Sequence, residues 1–136
     1  MSVVQYNKIR AAAVAGTTAT TYVNSSRSVM QVLYGEVVLT TANSSIIMRR
    51  PIVKILDEAG NAFATIASGQ NQAANLARNW LFAQGVERES LLTGTSVVVG
   101  MPMDFVIPQG WSFQTSIENA LATDAYDVKF LLSRRG

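Results

Sequence analysis

Residues 101–113 read MPMDFVIPQGWSF. Phe105, Val106 and Ile107 make an extended apolar run, Pro108-Gln109-Gly110 a tight turn, and Trp111-Ser112-Phe113 the strand that leaves it. Proline presets φ for the first corner of a turn, and glycine takes the positive φ that a side chain resists. Trp111 and Phe113 lie two residues apart, so a strand points both to one face. A hairpin with so broad an aromatic face predicts an all-β domain packed about it.

Strand signals continue on both sides of this stretch. Residues 119–125 (NALATDA) read as a loop and residues 126–133 (YDVKFLLS) as a closing strand. In that strand Tyr126, Val128, Phe130 and Leu132 alternate with Asp127 and Lys129, apolar on one face and charged on the other. Upstream, residues 95–107 form a strand broken near Gly100-Met101-Pro102, and residues 84–94 (QGVERESLLTG) a charged loop. Residues 76–83 (LARNWLFA) are read as a strand because their neighbours are strands. Apolar residues at 73, 76, 77, 80 and 81 also fit a helical period, and a helix over 70–82 would make the fold α+β. Residues 62–68 (AFATIAS) return antiparallel from a hairpin loop, DEAGN at 57–61, where Gly60 or Asn61 takes positive φ. Pro51 inside residues 46–56 (IIMRRPIVKIL) predicts an edge or bulged strand, since proline donates nothing to a ladder. ANSS at 42–45 is a turn, and Gly35 within the strand at 29–41 marks a bulge or bend.

These seven or eight short strands predict an antiparallel β-sandwich, jelly-roll-like, over residues 29–136. Residues 1–28, rich in Ala, Thr, Ser and Gly, read as a flexible N-terminal arm, either a partly disordered leader or an extended arm that orders by lying across a neighbouring subunit. Residues 6–15 have the propensity for a short helix within it. The Ala-rich run after Arg10 is too short and lacks the leucines of a secretory signal.

The chain has 136 residues, enough for one domain with a real core. Its 49% hydrophobic and 15% charged content excludes intrinsic disorder and suggests that partners cover part of the surface. A net charge of +2, with bases scattered, is no nucleic-acid footprint, and no apolar run reaches membrane-spanning length. With no Cys and no His, disulfides, ordinary zinc sites and the usual nucleophile–base pairs are ruled out. Phosphate-binding glycine loops do not occur. The carboxylates Asp57/Glu58, Glu87/Glu89 and Asp124/Asp127 fall in or beside loops, where acids are ordinarily solvated. Asp104 reads as an outward strand residue paired across the ladder. Oxygen ligands of the kind that calcium takes cluster at Asp57, Glu58 and Asn61, yet DEAGN reads first as a plain hairpin. The expectation is therefore a non-enzyme without cofactor or metal.

Trp80, Trp111, Tyr22, Tyr34 and Tyr126 are candidates to stack on a sugar or a partner, although Trp111 and Phe113 suit a core. An outward Trp80 would make an interface anchor. Tyr22, Arg49, Arg50, Trp80 and Phe82 are the residues expected at an interface.

MRRPIVKILDEAGN, followed by MPMDFVIPQGWSFQTSIENALATDAYDVKFLLS, resembles small virion proteins of tailed bacteriophages over residues 46–133. The shared pattern falls on Arg49 or Arg50, Pro51, Val53, Ile55, Asp57, Gly60 and Asn61, then Pro102, Pro108, Gly110 and Trp111, then Asp124. The resemblance implies a jelly-roll structural protein of the particle: a head decoration (cement) protein, or else a collar or tail component. It implies a homo-oligomer, a trimer above all, in contact with the major capsid protein or other virion proteins and located in the virion after assembly in the host cytoplasm. A host-glycan-binding jelly roll is the alternative. Neither reading involves direct nucleic-acid or membrane contact.

Overall fold

In the computed structural model residues 4–42, 47–84, 90–93 and 96–135 are described. The strands are β1 (Val4–Ala15), β2 (Thr20–Val23), β3 (Met30–Thr40), β4 (Arg50–Leu56), β5 (Ala62–Ala67), β6 (Ala77–Gln84), β7 (Ser90–Thr93), β8 (Ser96–Met101), β9 (Val106–Ile107), β10 (Ser112–Glu118) and β11 (Ala125–Arg135). Four antiparallel pairs nest inside one another: β1 with β11, β2 with β10, β3 with β6, and β4 with β5. Folding this nest over itself yields two sheets, β1-β11-β3-β6 continued by β8 and β7, and β2-β10-β4-β5. That is the eight-stranded jelly roll. The extra strands β7, β8 and β9 fall between its sixth and seventh strands, and β8 runs parallel to β6.

The core lies between the sheets. Phe113 on β10 meets Phe130 on β11 with ring centroids 4.8 Å apart, and Phe130 meets Phe82 on β6 at 5.8 Å. Tyr126, Val128, Phe130 and Leu132 are all buried, as their alternation predicts. In β3 the inward phase changes from Met30 and Val32 to Val37 and Leu39. A bulge causes this: Leu132 pairs with Val32 while Leu131 pairs with Tyr34. Gly35 follows the bulge for a separate reason. A Cβ there would sit 2.2 Å from the Phe130 ring.

Several expectations are corrected. Residues 4–23 supply an edge strand to each sheet, so the first two strands of the roll come from the stretch expected as an arm. Residues 6–15 are strand, not helix, because β11 offers them a ladder from Val4 to Ala15. Residues 101–113 are not a hairpin. β9 pairs with β3 in one sheet and β10 with β4 in the other, so the turn carries the chain between sheets. Gly110 does take positive φ (83°), with the Trp111 amide bonded to the Pro108 carbonyl. Pro51 is neither edge nor bulge. β4 lies between β10 and β5, but its β5 ladder starts only at Ile52, so no partner awaits the missing N–H. The segment read as a strand over 76–83 is one, over Ala77–Gln84. Ser90–Thr93, expected within a loop, are β7. Asp104 lies in the turn between β8 and β9, exposed, rather than on a strand.

Candidate functional site

Chemistry-bearing side chains concentrate at one end of the sandwich, where they hold loops together. Arg49 and Asp124 are fully buried and paired, Nε to Oδ2 at 3.0 Å. Asp124 also accepts the Ala42 amide (2.7 Å) and the Leu121 amide (2.9 Å). Arg49 donates to the Ile47 carbonyl, and its backbone pairs with that of Gln72. Gln72 accepts from Trp80 Nε1 at 2.9 Å and donates to the Leu39 and Leu76 carbonyls. Gly16 is packed too closely on Asp124 and the Leu121 carbonyl for any side chain, 2.7 Å from each to a notional Cβ. Burial alone pushes the Asp124 carboxyl up. Amide hydrogen bonds from Leu121 and Ala42 and the Arg49 guanidinium outweigh it and hold the group below its ordinary 3.8. A buried carboxylate kept charged by four donors is a clasp, with no proton to give.

None of the five expected interface residues stands free on the surface. Arg49, Trp80 and Phe82 are fully buried. Trp80 faces inward because its strand neighbours Asn79 and Leu81 take the outer face. Tyr22 packs against the core, its hydroxyl donating to Met30 Sδ at 3.2 Å. Arg50 is partly exposed but pairs with Glu118 at 2.9 Å and donates to the Ser68 carbonyl. Of the other carboxylates, Asp127 accepts the Ala13 amide at the β1 bulge. Asp57 accepts the Ala59 and Asn61 amides, which makes DEAGN a hairpin. Glu87 and Glu89 lie outside the described residues. Among the described residues no three His, Cys, Asp or Glu side chains cluster.

Two surfaces stand out among the described residues. On the outer face of the larger sheet a groove of about 400 Å³ crosses β1, β11, β3 and β6 at the level of Gly35. Its walls are Lys8, Arg10, Tyr34, Leu81, Lys129 and Leu131. Lys8 stands opposite Leu131, and Arg10 opposite Lys129. Lys129 pairs with Glu36 at 3.4 Å. Lys8 and Arg10 make no ion pair with any described residue. The second surface is the β4–β5 hairpin. Its tip carries Asp57 and Glu58, and Phe63 behind it is 74% exposed and set edge-on against Trp111 at 5.1 Å. Sequence reasoning missed both surfaces. Lys8 and Arg10, two apart, share a face only if residues 6–15 are a strand. Phe63 sits in the irregular step of β5, where Ile55 pairs with Ala64 but Leu56 with Ala62, on the outer face that it shares with Thr65.

No family model matches the chain, and no curated protein matches it. Among solved structures it is similar to infectious bursal disease virus, Gx strain, with a TM-score of 0.40 and 13% identity over 96% of this chain and 32% of that one. It is also similar to the VP2 subviral particle of infectious bursal disease virus, with a TM-score of 0.39 and 11% identity over 97% of this chain and 32% of that one. The chain thus spans about a third of the length of the solved chains it matches.

Proposed function

We propose that the chain is a structural protein of a tailed-bacteriophage particle. Within that class we assign it to the cement or head decoration proteins, which stiffen the capsid by contacts with the major capsid protein and with further copies of themselves, most simply as a trimer. One observation carries this reading: the jelly roll spends its buried polar groups on its own closure and leaves large apolar side chains outside. Tyr6 (64% exposed), Phe63 (74%) and Met103 (63%) are surfaces for partners, not a pocket for a reaction. The residues of the phage pattern support the jelly-roll part of the reading. Arg49 and Asp124 form the clasp, and Pro108, Gly110 and Trp111 the crossover. The glycan alternative relied on an outward Trp80 and loses its anchor, since that ring is buried.

Each standard interface removes roughly 1,600 Å² from water, and repeated copies multiply that against internal pressure. Particles assembled without this protein should lose their DNA at lower temperature or shear than complete ones. Equal survival would remove the cement role. Imaging of labelled particles then separates head from collar or tail: signal spread over the capsid lattice supports decoration, and signal at a single vertex supports the collar or tail.

A further inference from the structure

We propose that the chain associates with itself head to tail, the acidic β4–β5 hairpin of one copy seated in the basic outer-face groove of the next. The charges match. Lys129 is already engaged by Glu36, which leaves Lys8 and Arg10 as the two uncommitted cations of the groove. The hairpin tip offers two carboxylates, Asp57 and Glu58. Asp57 uses Oδ1 to bind its own turn amides, which aims the group without neutralising it.

The apolar parts match as well. The groove between the cations is lined by Tyr34, Leu81 and Leu131, and at about 400 Å³ it is large enough for an aromatic side chain. Phe63 is the most exposed large apolar side chain among the described residues. Trp111 already holds its ring in place, so seating it costs little further conformational freedom. Hairpin and groove lie on opposite sheets of the sandwich, so neither patch is its own partner. The contact is heterologous, closing into a ring where the rotation permits and otherwise running on as a chain. A single hairpin seat belongs with interfaces below roughly 1,200 Å² and is weak alone; ring closure strengthens it. The proposal shares with the virion reading only the expectation of a homo-oligomer. Its test uses the purified chain alone, so either can fail without the other.

The measurement is sedimentation velocity of the full chain over a wide concentration range. The wild type should show mass rising with concentration, less so at about 1 M salt, where charges are screened beyond ~3 Å. Phe63→Ala and the double variant Lys8→Glu/Arg10→Glu should each weaken self-association by about thirtyfold or more, as loss of a central anchor does. All these side chains are on the surface, and unchanged thermal unfolding would show that both variants fold. The two variants mixed should form a one-to-one dimer and nothing larger, because one keeps only its groove and the other only its hairpin. A wild type that stays monomeric throughout, or association untouched by either variant, or a mixture that assembles no better than its parts, would each overturn the proposal.

Discussion

At the scale of single residues the most consequential group is Asp124. Removing one partner of a buried ion pair strands the other charge, so Asp124→Ala or Arg49→Ala should each cost about 3–5 kcal/mol in urea unfolding. Replacing both with apolar residues of similar volume should recover much of that loss. The acid limb of stability follows from the same group. Its folded pKa lies below the unfolded 3.8, so its contribution is complete above that value and is lost as pH falls through the lower folded one. Tyr126 sets the opposite limb. Burial pushes its phenol above 10.0, against the hydrogen bonds with Thr20, so that contribution is complete below pH 10.0 and is lost as pH rises through the raised value. Unfolding midpoints measured across pH should therefore show a plateau with two falling ends, and Asp124→Asn should flatten the acid end only. Gly35 is a packing glycine. With Phe130 atoms 2.2 Å and 2.4 Å from any Cβ, Gly35→Ala should cost at least about 1–3 kcal/mol, the usual penalty for an overfilled core.

Among the elements, the crossover between β9 and β10 depends on a residue that gave no signal in the sequence. Asn24 is fully buried. Its side chain donates to the Ile107 carbonyl (2.7 Å) and the Ser28 carbonyl (2.9 Å), and its backbone bonds Gly110 and Trp111. Asn24→Ala leaves both carbonyls without that donor, and a loss of about 1–3 kcal/mol is expected in the same unfolding assay. β1 is a weakly held element. Ile9 is its one buried large side chain and its far edge is open. Hydrogen exchange should release the β1 amides well before those of β3 and β11. The low-anchorage composition of residues 1–28 was thus legible, but its meaning was not: a strand that contributes few core side chains has the composition of an arm.

Over the whole molecule the nested pairing joins the two ends of the chain, since Val4 pairs with Arg135. Pairings this distant along the chain close late, which predicts folding in milliseconds to seconds, measurable by stopped-flow fluorescence of Trp80 and Trp111. Deleting residues 1–28 removes the outer strand of each sheet and the Thr18 and Thr20 partners of Tyr126. The truncated chain should lose its cooperative transition in a thermal melt. A sharp transition at the wild-type temperature would mean that residues 1–28 are dispensable to the roll. Period-two patterning by itself pointed to an all-β domain from residue 29 onward, to where most of its strands run, and to the face of β11 that turns inward, because alternation is a local property of the backbone. It left 70–82 open to a helix and could not follow the phase change in β3. Only the tertiary structure decided which strands are neighbours, that 101–113 crosses between sheets, and that Arg49, Trp80 and Asp124 are inside. Those outcomes depend on which distant residues satisfy a buried polar group, and hydrogen-bond partners separated by 75 residues, as Arg49 and Asp124 are, leave no local pattern.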